Sequence, residues 1–114
     1  MSCAAEIVRL TTDAYHMAEH AHKCCFSDNL PEKKDASLAY AAACMEKCTA
    51  AKSLYLSDPA LICDVGDRLF AKFDTFTNEI RNDFREGHSL QWVDIEFNSL
   101  TDLYYDFCDT VKRC

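Results

Sequence analysis

The chain of 114 residues fits a single domain and is long enough to bury a hydrophobic core without metal or disulfide cross-links. Because it has only two glycines and two prolines, it excludes a turn-rich β-sandwich and a disordered chain, and α-helix is expected throughout. The 19 acidic residues outnumber the 12 basic ones, which weighs against a phosphate-binding surface and favours a basic protein partner or simple solubility.

Three breaks with the chemistry of helix ends divide the chain into four nearly equal segments. The first contains Pro31 after several polar residues, and the second is the Ser-Asp-Pro segment 57–59, an N-cap followed by proline in the first turn. The third combines Gly87, which can end a helix in the left-handed conformation, with Ser89, which can cap the next one. These breaks predict helices near 3–27, 31–56, 59–86 and 89–112.

Apolar residues in the last two segments recur at alternating spacings of three and four, which is typical of packed helices. They are Ile62, Val65, Leu69, Phe73, Phe76, Ile80 and Phe84, then Val93, Phe97, Leu100, Tyr104, Phe107 and Val111. The first two segments instead place small residues inside, namely Ala14, Ala18, Ala21, Ala41, Cys44 and Cys48.

The connections between the four segments are short, and short connections force neighbouring helices to run antiparallel. The sequence therefore predicts an all-α fold, an antiparallel up-down-up-down four-helix bundle that forms one domain over residues 1–114. A helical hairpin that completes its bundle by dimerising is the main alternative.

The eight cysteines include no Cys-x-x-Cys pair. The N-terminus lacks the basic start and apolar run of a signal peptide, and no stretch is long enough to span a membrane, so a cytoplasmic protein with free thiols is expected. Helical phase distributes the cysteines among separate environments. Cys25, Cys44, Cys48 and Cys108 face the core, Cys24 and Cys63 lie near its edges, and Cys3 and Cys114 are at the ends.

The first helix contains three histidines within one short segment. The segment from His16 to His20 matches the HxxEH pattern of inverted zinc peptidases, but the chain offers no separate carboxylate ligand and little room for a substrate cleft. Helical phase places His16 and His20 on the solvated face, whereas His22 falls on the core side, with partners expected on the second helix. Glu19 and His22 form one Glu-x-x-His element, and a di-iron site needs two. No cofactor is predicted.

Cys44 and Cys48 lie one turn apart on the inner face of the second helix. This spacing faintly resembles the thiolate pairs of copper-storing helical bundles, which use many such pairs where this chain has one. Antiparallel pairing would leave His22 roughly 10–12 Å from Cys44 along the bundle axis, too far for one tetrahedral site. These two cysteines are expected to be core packing, and a thiol-based bundle that binds Cu(I) or Zn through them is the alternative function.

The fourth helix has an acidic surface, with no lysine or arginine between residues 90 and 111. Like charges three or four residues apart cost a helix about 0.2–0.5 kcal/mol per pair, so the surface is either a solvated face or a docking face. Its candidate partner-binding residues are Asp94, Asp102, Asp106 and Asp109. Because the sequence contains no recognisable set of catalytic groups, it predicts a non-enzymatic bundle that self-associates or binds a basic protein. Binding to nucleic acid or to a membrane is not expected.

Overall fold

The computed structural model describes residues 4–27 and 32–112. They form four helices, α1 (Ala4–Cys25), α2 (Lys33–Leu56), α3 (Asp64–Glu86) and α4 (Gln91–Lys112). Each helix contacts the next one along the chain, and α4 closes the ring against α1. The result is the predicted up-down-up-down four-helix bundle, about 46 Å long and 20 Å across. None of the four helices is long and apolar enough to cross a membrane.

The core differs between the two hairpins as the sequence predicts. Between α1 and α2 the six small residues named above are all buried, and their small side chains let these helices pack closely. Between α3 and α4 the interior is filled by phenylalanine rings, of which Phe70, Phe73, Phe76 and Phe107 are at most 1% exposed.

The seam between α1 and α4 is built from aromatic rings, and the sequence pattern does not reveal it. Tyr15 is buried and stacks on Tyr104 with ring centres 4.2 Å apart. Its hydroxyl lies 3.0 Å from that of Thr101, and the hydroxyl of Tyr104 lies 2.8 Å from that of Thr12. These contacts fix the rotation of α4 and therefore which of its residues face outward.

The start of α3 is where the sequence prediction is wrong. The helix begins at Asp64 rather than at residue 59, because residues 57–63 form a compact corner. In that corner the N–H of Leu61 donates to the carbonyl oxygen of Asp58 at 2.9 Å. Ile62, predicted to lie inside, is 41% exposed.

Tyr55, near the end of α2, explains why the corner overrides the local helix-start signal. Its hydroxyl accepts from the N–H of Cys63 at 2.9 Å and lies within donating distance of the Cys63 carbonyl at 2.8 Å and of Asp67 Oδ1 at 2.9 Å. The side chain packs directly on Gly66, where a Cβ atom would lie 2.5 Å from the Tyr55 oxygen. The buried tyrosine thus sets the first turn of α3 from another helix.

The other helix ends agree more closely with the sequence. Gly87 ends α3 in the left-handed conformation, with φ 69°. The hydroxyl of Ser89 accepts from the N–H of Gln91 at 3.3 Å, although α4 begins two residues later than predicted. Pro31, Cys3 and Cys114 lie outside the described residues.

Candidate functional site

A groove of about 770 Å³ lies between α2 and α3, towards the end of the bundle where α3 finishes. Its apolar residues are Leu38, Ala41, Ala42, Met45 and Phe84. Among residues 4–27 and 32–112, the charged residues that line it are all basic, namely Lys34, Arg81 and Arg85. The groove therefore combines an apolar floor with a positively charged rim.

Helix geometry explains why these residues meet. Arg81 and Arg85 are four residues apart and share one face of α3, with Phe84 beside them. Because α2 and α3 run antiparallel, the first turn of α2 with Lys34 lies beside the last turn of α3. Phe84, predicted as a core residue, is only half-buried, as are Leu38 and Met45 of α2. These apolar side chains form the floor of an open groove.

The positive charges at the rim are largely uncompensated. The guanidinium groups of Arg81 and Arg85 donate hydrogen bonds to the side-chain oxygens of Asn78 and Asn82, which lie three residues earlier in each case. These amides are neutral, so they do not offset the positive charge. Arg85 also lies 3.1 Å from a carboxylate oxygen of Glu86. Within residues 4–27 and 32–112, neither Lys34 nor Arg81 has a carboxylate within salt-bridge distance. A local positive patch thus exists on a chain whose net charge is −7.

The four aspartates of the predicted partner-binding surface lie in different environments. Asp94 turns towards α1, where its Oδ1 lies 2.8 Å from Nε2 of His22. Asp102, Asp106 and Asp109 are exposed on the outer side of α4. Three of the four residues therefore share a face, and the fourth has a partner within the chain.

Basic residues of α3 approach this acidic side of α4. Lys72 forms a salt bridge with Glu96 at 2.7 Å, and with Arg68 it borders a shallow depression whose other wall carries Asp102 and Asp106. Lys72 therefore balances the charge of Glu96 within the bundle, and the carboxylates of Asp102, Asp106 and Asp109 remain accessible from outside.

His22 lies on the core side of α1, as predicted, but its partners are on the wrong helix for the prediction. Its ring stacks on that of Phe97 in α4, with ring centres 4.3 Å apart, and forms a hydrogen bond with Asp94, which also lies on α4. The prediction of partners on α2 is wrong, because the rotation of α1 turns this edge towards α4. His22 therefore helps to hold α4 in place.

Cys44 and Cys48 are buried beside each other on α2, at 0% and 2% exposure. Burial raises the pKa of the Cys48 thiol to about 12, and the nearby charge of Asp74 acts in the same direction. Burial, followed by Cys48 and Asp74, raises the pKa of Cys44 still further above its ordinary range. In the metal-free protein both thiols are therefore protonated at neutral pH.

The other candidate metal ligands are dispersed. His16 and His20 are exposed, as predicted, and His20 stacks on Tyr40 with ring centres 5.0 Å apart. Among the described residues, no group of three or more histidine, cysteine, aspartate or glutamate side chains is arranged to hold a metal ion.

The basic groove is the feature that sequence reasoning missed. Its three charges come from two helices, and the acidic total of the chain conceals them. The available signal was the spacing of Arg81 and Arg85 around Phe84, which places charge at the edge of an apolar stripe. Locating Lys34 opposite this face requires the relative rotation of α2 and α3.

Comparison of the chain with protein-family models, curated proteins and solved structures finds no match.

Proposed function

We propose that this protein is a non-enzymatic binding module whose α2–α3 groove holds an amphipathic helix with an acidic face. The observation that carries the proposal is the apolar floor of the groove beside the uncompensated charges of Lys34 and Arg81. A helix bound in a groove uses apolar side chains at helical spacing as anchors, and its flanking charges select the orientation. Ala41 and Ala42 leave room for such a helix to approach closely.

The floor and the rim have different roles in this binding. Exposed ion pairs each contribute only about 0.2–1 kcal/mol, so burial of apolar surface supplies most of the affinity. The rim charges act mainly on specificity and on the association rate, since they attract acidic helices and repel basic ones. Binding should consequently weaken as salt concentration rises.

The acidic side of α4 keeps its predicted role as a docking surface, now restricted to Asp102, Asp106 and Asp109. We also propose a cytoplasmic location for the protein. The six described cysteines are all unpaired, and a reducing compartment would keep them so.

A titration with a fluorescently labelled, designed acidic amphipathic helix tests the groove. Fluorescence anisotropy should detect binding to the wild type, and Arg81→Glu with Arg85→Glu should weaken it at least tenfold by reversing the rim charge. Lys47→Glu with Lys52→Glu is the matched control, because it makes the same charge change at exposed positions of α2 away from the groove. Equal binding by all three proteins, or binding by none, would contradict the proposal.

A further inference from the structure

We infer that the helix held in the groove is α4 of a second copy of this chain. This inference rests on the proposed function and adds the identity of the partner. It connects two surface features that the bundle leaves exposed, namely the basic groove between α2 and α3 and the outer side of α4.

The outer side of α4 is an acidic amphipathic surface of the kind the groove favours. Trp92 and Ile95 are 57% and 40% exposed, and Asp102 and Asp106 follow them on the exposed side. At about 100° per residue these four side chains lie within roughly 80° of one another around the helix. The middle of this range lies roughly 120° around the helix from Leu100, which is buried. We call these four residues the outer stripe of α4.

The outer stripe and the groove also agree in length and polarity. At about 1.5 Å per residue, Asp102 and Asp106 lie roughly 15 Å and 21 Å from Trp92 along α4, on either side of the roughly 16.5 Å that separates Met45 from Lys34 along α2. The groove has apolar residues at its Met45 end and basic residues at its Lys34 end. If Trp92 lies over Met45, Asp102 comes to lie over the basic end. The apolar side chains of the outer stripe then pack on the apolar floor of the groove, and its carboxylates lie beside the basic rim.

The proposed contact joins two different surfaces, so it is heterologous rather than two-fold symmetric. After one contact has formed, one copy still has a free groove and the other a free outer stripe. The chain should therefore form assemblies that grow with protein concentration, as closed rings where the rotation between copies closes and as open chains where it does not. A two-fold dimer would instead stop at two copies.

Sedimentation velocity on two complementary variants tests this arrangement. Arg81→Glu with Arg85→Glu blocks the groove, and Asp102→Lys with Asp106→Lys blocks the outer stripe; all four positions are exposed, so folding should be retained. The wild type should associate increasingly with concentration at low salt, and each variant alone should remain monomeric. An equimolar mixture should associate again, because the intact stripe of one variant fits the intact groove of the other, and the reversed charges on the two altered surfaces also attract each other.

A third variant separates apolar contact from charge. Trp92→Ser with Ile95→Ser keeps every carboxylate and should weaken wild-type association at least tenfold, whereas Leu56→Ser, another exposed apolar position, should leave it unchanged. A wild type that stays monomeric at high concentration, or a variant mixture that stays monomeric while the wild type associates, would overturn the inference. If the designed acidic helix still binds the groove in that case, only the identity of the partner is wrong; if it does not, the proposed function also fails.

Discussion

The two hairpins of the bundle fill their interiors in opposite ways. Between α1 and α2, alanine and cysteine side chains bring the helices close together, and burial there includes the thiols of Cys44 and Cys48. Between α3 and α4, phenylalanine rings fill a wider space. The first hairpin should therefore be sensitive to added volume, and the second to lost volume.

The largest expected effect is the loss of a ring from the second hairpin. Phe73→Ala removes a side chain that is 0% exposed, and it should lower the free energy of unfolding by about 3–5 kcal/mol. Urea denaturation measures the loss. Ile62→Ala is the control, because this side chain is 41% exposed in the α2–α3 corner and should change stability far less. Equal losses would mean that the phenylalanine rings are not the determining core.

The complementary change adds volume to the first hairpin. Ala18→Leu inserts a branched side chain into the closely packed seam between α1 and α2 and should destabilise the protein by about 1–3 kcal/mol. Ala50→Leu, at an exposed position of α2, should be nearly neutral. If thermal unfolding places both variants at the wild-type midpoint, the seam has more free space than its burial indicates.

The buried thiols give the first hairpin an alkaline weakness. The pKa of Cys48 is raised from 9.0 to about 12 in the folded protein, so between these values the unfolded chain binds fewer protons and stability falls as pH rises. At pH 10 the loss should be on the order of 1 kcal/mol per buried thiol. Urea denaturation under reducing conditions at pH 8 and 10 measures it. Replacing Cys44 and Cys48 by alanine should reduce this difference without abolishing it, because burial also raises the pKa of Cys25 and Cys108. An unchanged slope would contradict the burial of Cys44 and Cys48.

The smallest expected effect lies at the end of α3, in the second hairpin. The neighbouring carboxyl group of Asp83, which is 3% exposed, and then burial raise the pKa of Glu79. Because the pKa of this carboxyl is higher in the folded protein than its ordinary value of 4.5, the free energy of unfolding falls as pH rises above that value. Glu79→Gln should therefore raise the melting temperature slightly at pH 7 and less at pH 4. Glu46→Gln, at an exposed site on α2, should show no such difference.

Much of the fold follows from the sequence because its signals are local. Periodic apolar residues identify the buried faces of α3 and α4, and small residues identify those of α1 and α2. Gly87 and Ser89 mark the turn between α3 and α4, since a left-handed glycine and a capping hydroxyl act within a few residues of themselves. The assignment of the cysteines to core and edge is also confirmed for the six that are described.

Tertiary structure decided what depends on contacts between helices. The hydroxyl of Tyr55 moves the start of α3 past Pro59, and the rotation of α1 gives His22 a partner on α4 instead of α2. The basic groove appears only when Lys34 is brought beside Arg81. Sequence periodicity fixes which side of each helix is buried, but the relative rotation and height of neighbouring helices come from packing across the whole core. The candidate site depends on that rotation, whereas the fold class does not.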